Sequence, residues 1–272
     1  MACIVLNSLH PATLLELTMN LKTKSILVLA TALVGTSAAF AQAAAPAPES
    51  TLSFNVGVVS DYRFRSVAQT SFKPALQGGV DFAHTSGVYV GAWASNVSCI
   101  KDYVGATDGS TEIDLYGGYK GEIAKDLTFD IGFIAYQYPG NTADKVLVNA
   151  NTTEVYGALT YGIVTAKYSQ STGNFIANPN SSGAAYLELA AAFDLGNGFS
   201  LTPHVGRQTI PNQAGNAGDY TDFSLTLGKD FGGGLTGSLA AYSTDAKDAF
   251  YKVGTFDNLG KSGVAVGIKY AF

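Results

Sequence analysis

The ten residues Gly263 to Phe272 constrain the chain more than any other stretch. Val264, Val266, Ile268, Tyr270 and Phe272 fall on one parity, and Gly263, Ala265, Gly267, Lys269 and Ala271 on the other. A side-chain period of two is a β-strand with one apolar face and one small or polar face. The question that follows is whether the rest of the chain repeats this pattern, and what solvent its apolar face meets.

The pattern repeats along the whole chain after residue 51. In 52–65, Leu52, Phe54, Val56, Val58, Tyr62 and Phe64 alternate with Ser53, Asn55, Gly57, Asp61, Arg63 and Arg65. Similar alternation covers 75–83, 112–120, 127–136, 154–161, 164–169, 186–195, 199–205, 222–231 and 235–242. The segment 87–96 is also strand-like, but Val88, Val90 and Ala92 against Tyr89, Gly91 and Trp93 leave its outward face open. With the terminal strand this predicts about twelve strands, in line with spanning segments of ~10 residues.

Connections are expected to alternate in length. Short turns fall at 84–86, 121–126, 161–162, 196–198 and 232–234. Longer links rich in Asn, Gly, Ser and Thr fall at 66–74, 97–111, 139–152, 171–183, 209–219 and 244–261. Strict alternation is what an up-and-down barrel makes when one rim faces the periplasm and the other the exterior. It puts both termini on the periplasmic, short-turn side. Aromatics on the outward parity sit near the strand ends. Phe82, Tyr119, Phe129, Tyr161, Phe193, Phe199, Phe231, Tyr270 and Phe272 lie towards the short turns, and Tyr62, Phe64, Tyr168 and Phe223 towards the long loops. Two such girdles mark the edges of an apolar band in a bilayer.

Residues 19–41 specify export. Lys22 and Lys24 precede the apolar run 26–34, and Ala39-Phe40-Ala41 supplies a small-x-small cleavage site, so the segment reads as a signal peptide. Residues 1–18 are expected to be an upstream start-site artefact, 42–51 a short periplasmic linker and 52–272 the barrel. Cleavage after Ala41 removes Glu16, Lys22 and Lys24, leaving 14 basic and 20 acidic side chains, a net charge of −6. An acidic exported chain is a poor nucleic-acid binder. Cys99 is the one cysteine of that mature chain, which excludes a disulfide framework or a cysteine-rich metal site. No mature segment offers the ~18 consecutive apolar residues of a helical span. A closed barrel satisfies every backbone N–H and C=O without an edge and so can sit in hydrocarbon.

Several strings carry a family resemblance: Ser60-Asp61-Tyr62-Arg63-Phe64-Arg65, 74–82 (PALQGGVDF), 91–97 (GAWASNV), 112–119 (EIDLYGGY), Tyr138-Pro139-Gly140 and 153–157 (TEVYG). In these the chain resembles the TorF family of porins of Gram-negative bacteria. The resemblance spans the mature chain and implies an outer-membrane barrel, with no defined substrate. The terminal strand separately resembles the signal read by the outer-membrane barrel assembly machinery, with Val266, Ile268, Tyr270 and Phe272 on the recognised face.

The inward parity carries Asp61, Arg63, Arg65, Asp81, Glu112, Asp114, Asp130, Glu154, Lys167, Glu188 and Asp194. Buried unpaired charges are prohibitive, so these call for a wet or salt-bridged lumen. The Asp61/Arg63/Arg65 cluster reads either as a selectivity patch, since rings of charge sort ions, or as a salt-bridge network fixing register. Inward acids outnumber bases, which predicts a mild cation preference. The leading function is a porin-like channel for passive diffusion of small hydrophilic solutes or ions, with lipid as its other partner and no cofactor. The alternative is a side-chain-plugged structural or adhesion barrel whose long loops bind external ligands. Tyr116, Tyr136, Tyr156, Tyr186 and Tyr242 on the inward parity are large enough to fill much of a lumen. A hydrolase is a third reading of low weight. His204 has Ser200 and Thr202 on its face but no third orienting group. Two distant mature histidines, His84 and His204, do not make a metal site.

Overall fold

A computed structural model describes residues 49–272. The segments expected at 1–18 and 19–41, and the linker up to residue 48, lie outside the described residues. The described chain is a closed antiparallel barrel of twelve staves. In chain order these are β1 (Ser50–Val59), β2 (Ala75–His84), β3 (Val88–Asn96), β4 (Thr111–Ala124), β5 (Leu127–Gln137) and β6 (Thr152–Tyr161). Then follow β7 (Val164–Ser171), β8 (Ala185–Ala191 and Phe193–Gly196, broken at Ala192), β9 (Phe199–Thr209), β10 (Tyr220–Gly232), β11 (Leu235–Thr244) and β12 (Gly263–Ala271). Each stave pairs with its sequence neighbours, and β12 closes the ring on β1 in the register Val56↔Tyr270 and Val58↔Ile268.

Parity sets what each face meets. Leu52, Val266 and Phe272 are 60%, 55% and 65% exposed, as are their counterparts on every stave, so the outer wall is a continuous apolar band. In water such a band would be an association surface; facing acyl chains it needs no cover. β3 is settled in the same way, with Val88 and Val90 outward and Trp93 buried inside. Lys229 stands on the outward parity near the short-turn rim. Its Nζ bends back to Asn197 O at 2.5 Å and lies over the Phe199 ring, so the charge snorkels.

Loop lengths alternate as expected, from two or three residues at one rim to the long links 60–74, 97–110, 138–151, 172–184, 210–219 and 245–262 at the other. Glu49 and Phe272 both lie at the short-turn rim, where Thr85 N bonds Glu49 O and Phe272 pairs with Phe54. β4 runs on through a bulge to Ala124, so its turn is 125–126 rather than 121–126.

The expected first strand, 52–65, is the main correction. β1 leaves the wall after Val59, and residues 60–74 fold into the barrel. There a two-residue turn joins the short strands Arg63–Phe64 and Val67–Ala68. Tyr62 and Phe64 are therefore not girdle aromatics; they are 3% and 0% exposed, packed in the interior. Asp194 differs too: it is exposed at the short-turn rim, where its carboxylate accepts the Gly196 N–H.

Candidate functional site

The long-loop half of the barrel interior is filled around the inserted loop 60–74. Its tip, Arg65-Ser66, has φ of 44° and 63°. Two consecutive left-handed residues make the tight turn of a twisted hairpin, a conformation that favours Asn and Gly. Arginine and serine hold it here at a cost of about 1–2 kcal/mol per residue. What that geometry obtains is the placement of both side chains. Arg65 reaches across the lumen to Glu154 on β6 at 2.7 Å and to Gln208 on β9 at 2.7 Å. Its guanidinium lies 4.3 Å from the Tyr186 ring centroid and 4.6 Å from that of Phe64. Ser66 donates to Asp222 on β10 at 2.7 Å. A buried ion pair holds only when the remaining donors and acceptors are also matched, and the amide and the two rings supply much of that here.

The rest of the loop is tied down at its flanks. Tyr62 donates to Glu112 on β4 at 3.1 Å, and Tyr138 reaches the other oxygen of that carboxylate at 3.3 Å. Arg63 pairs with Asp61 at 2.6 Å. The Ser98 and Cys99 amides bond Gln69 O, and the Ala68 amide bonds Leu259 O, so two neighbouring long loops roof the insert. In that roof Tyr103 donates to Asp257 O at 2.6 Å. Burial, with Asp102 and Asp257 nearby, pushes its phenol up to about 12. Lys261 beside Asp257 holds that carboxyl below the ordinary range.

A second cluster lies against the loop tip. His204 on β9 contacts Glu188 and Tyr186 through Nε2, each at 3.2 Å, while its Nδ1 stands 3.6 Å from Asp222. The orienting carboxylates that the sequence did not reveal are therefore present. Ser200 and Thr202 are not hydrogen-bond partners of the imidazole among the described residues, and Ser66 spends its hydroxyl on Asp222. The cluster ties β8, β9 and β10 to the loop tip and positions no nucleophile against the histidine.

Towards the short turns the interior is more open: Ser53 and Ser238, both inward, are solvent-exposed. Tyrosines line it by lying across inward glycines. Tyr89 pairs across the sheet with Gly118, Tyr116 with Gly91, and Tyr156 with Gly132. Tyr89 donates to Asp130 at 2.6 Å and bonds Tyr156; Tyr116 donates to Asp81. Lys167 Nζ stands 4.2 Å from the Tyr156 ring centroid. This is the aromatic covering of strand glycines, used here to line a lumen. A Cβ on Gly118 would stand 2.5 Å from Ile131 O and run into the Tyr89 ring, whereas one on Gly157 would meet only an Ile131 methyl at 4.0 Å. Gly118→Val should therefore displace Tyr89 and destabilise the barrel by ~1–3 kcal/mol, while Gly157→Ala stays near neutral. Thermal unfolding of the two variants side by side checks this; equal melting temperatures would refute it.

Of the eleven charged residues expected on the inward parity, all but the rim residue Asp194 face the interior, and the structure divides these ten in two. Asp61, Arg63, Arg65, Glu112, Asp114, Glu154, Lys167 and Glu188 belong to the filled half and are buried; Asp81 and Asp130 line the more open half. Asp222, Gln208, Ser66 and Tyr186 complete the hydrogen-bonded cluster of the filled half. Tyr186 is one of the inward tyrosines expected to fill the lumen, and Asp222 could have been found from its inward parity, whereas Ser66 owes its place to the unforeseen insertion. Among the described residues no cluster of His, Cys, Asp and Glu is arranged to hold a metal ion.

The chain belongs to a bacterial protein family of unknown function (Gcw_chp), whose model matches residues 42–272. No curated relative matches it. Among solved structures it is similar to a KdgM porin in complex with disordered oligogalacturonate: 7% identity, TM-score 0.51, covering 82% of this chain and 99% of that one. A NanC porin follows at 10% identity and TM-score 0.48, covering 81% and 99%. OprD of Pseudomonas aeruginosa follows at 12% identity and TM-score 0.37, covering 81% and 66%. The likeness to the KdgM porin is one of fold.

Proposed function

We propose that this protein is an outer-membrane porin-like channel for passive diffusion of small hydrophilic solutes or ions, with the inserted loop 60–74 as its constriction. The observation that carries the reading is the pairing of two faces on one closed wall. The outside is apolar and exposed on every stave, and the inside holds ionic and hydroxyl groups. Only a wall between lipid and a polar interior needs both at once. The short-turn rim and both termini are then periplasmic, and the long loops face outward. Export by a cleaved signal peptide, assembly through the β12 face Val266, Ile268, Tyr270 and Phe272, and membership of the TorF porins belong to the same reading.

A specific observation favours a second reading, a plugged structural or adhesion barrel: Phe64, Tyr136, Tyr138 and Tyr220 are fully buried around the loop. Planar-bilayer recording separates the two. A channel gives stepwise conductance of small amplitude, with reversal potentials in a salt gradient showing mild cation preference, because acids outnumber bases on the inner wall. Persistent silence of correctly folded protein would transfer the assignment to the plugged barrel, and anion selectivity would refute the charge argument.

A further inference from the structure

We propose that Asp114 holds a proton while the inserted loop is in place, and that loss of this proton releases the neck of the loop; the second half rests on the channel reading above. Glu112 and Asp114 are alternate residues of β4, both inward, and they are 0% and 4% exposed. Their carboxyl groups are in hydrogen-bond contact with each other. A carboxylate only accepts, so one of the two must carry the hydrogen. Their other partners decide which. Glu112 accepts from Tyr62 at Oε1 over 3.1 Å and from Tyr138 at Oε2 over 3.3 Å, so both of its oxygens serve as acceptors. Asp114 Oδ1 is buried without a partner. A neutral Asp114 donating to an ionised Glu112 accounts for these contacts, and it leaves unmatched only a carbonyl-type oxygen, which is cheaper to bury than a charge.

No cation stands in for the proton. Among the described residues neither carboxyl has an ion-pair partner; Arg65 is committed to Glu154 at 2.7 Å and Arg63 to Asp61 at 2.6 Å. The titratable groups facing the pair are the phenols of Tyr62, Tyr116, Tyr136 and Tyr138 and the carboxylate of Glu154. From β3 the facing side chains are Trp93 and Ser95, which carry no charge. Asp114 lies one step nearer the open half of the lumen than Glu112 and keeps the greater exposure, so its proton leaves to lumen water. Two carboxylates then share one face of β4 with no cation between them, which a buried site does not tolerate. Water entering to solvate them displaces what covers the pair. That cover includes Tyr62, the neck of the insert, whose ring centroid lies 5.5 Å from that of Trp93, itself opposite Asp114.

Infrared spectroscopy of the mature barrel in lipid vesicles reads the proton directly, because the C=O stretch of a neutral carboxylic acid stands apart from those of carboxylates and amides. The wild type should show this band at neutral pH, and Asp114→Asn, which keeps a neutral donor, should lack it. Planar-bilayer recording from about pH 5 to about pH 8.5 stays below the ~10 of an ordinary phenol. Mean current should rise with pH by at most about tenfold per unit, the limit for one linked proton, and the band should fade over the same interval. Asp114→Asn should keep the low-pH current throughout. If that variant fails to assemble, the wild type alone decides, since band and current must titrate together. A wild type without the band, or a band that survives in Asp114→Asn, overturns the proton assignment. A flat wild-type current profile overturns the gate. So does a pH response that Asp114→Asn retains, which would belong to another group such as His204 between Glu188 and Asp222. A barrel that shows the band yet stays silent at every pH overturns the channel reading and the gate with it, and leaves the proton on Asp114.

Discussion

Replacing Arg65 with alanine should raise single-channel conductance several-fold while leaving the barrel folded. The substitution removes a buried guanidinium in the filled half of the lumen, leaving the 0% exposed Glu154 side chain without its cation. Breaking a buried pair in this way costs ~3–5 kcal/mol. That cost falls on the inserted loop rather than on the wall, because the staves keep all their backbone pairing. Once the Arg65 side chain is gone the left-handed tip still places Ser66 against Asp222 but no longer gains the arginine's contacts, so the strain at residues 65 and 66 is less well offset and adds to the drive outward. A shift of this size moves the balance between inserted and displaced loop by a factor on the order of 10²–10³. Arg65→Ala combined with Glu154→Gln should recover much of the closed behaviour, because the neutral amide no longer needs the missing cation. Bilayer recordings of the wild type, the single and the double variant decide it. Unchanged conductance in Arg65→Ala would mean that this ion pair is not what holds the constriction.

The ring itself was legible in the sequence because lipid imposes one rule on every stave. The outward parity of β10, Phe223, Leu225 and Leu227, is apolar for the same reason as that of β12. Loop lengths added the rim assignment, since only one end of the barrel carries long links. The insertion of 60–74 was not legible, and the reason lies in Tyr62 and Phe64. They keep the period of two because the loop hairpin is itself extended. Alternation reports that one face is apolar; it does not report whether that face meets acyl chains or the packed interior of a plug. The constriction was half legible by the same logic. Glu112, Glu154 and Glu188 fall inward by parity, but Arg65 and Glu154 are 89 residues apart, and nothing in that spacing says they meet. Partners across a lumen are set by where a loop inserts.

The loop joins the two readings of the interior. A wall this charged with no insert would be a wide aqueous pore, and an insert with no charged wall would be a hydrophobic stopper. Here the insert is held to the wall by charge-assisted bonds, Arg65 to Glu154 and Ser66 to Asp222 at its tip and Tyr62 to Glu112 at its neck, while aromatic packing fills the space between. Ionic latches on an otherwise apolar plug can be released singly without dissolving the barrel, which is what a constriction requires and a permanent stopper does not.

Leu239→Arg should prevent stable assembly, while Ser238→Arg should be accepted and change selectivity. The two positions are adjacent at the middle of β11, and both are exposed, Leu239 by 47%. In a soluble protein two exposed neighbours would tolerate arginine about equally, within roughly 0.5 kcal/mol. Here the wall separates two solvents. Leu239 pairs with Val266 and Leu227 on the outer face, so its arginine would sit in hydrocarbon at mid-depth. There it costs ~2–4 kcal/mol, too far from either rim for the guanidinium to snorkel as Lys229 does. Ser238 points into the open half of the lumen, where the new cation meets water and the inward carboxylates and should weaken the cation preference. Heat-modifiable gel mobility reads the first effect and reversal potentials the second. Two variants that fold equally well would contradict the assignment of Leu239 to lipid, and with it the claim that the apolar band crosses a membrane.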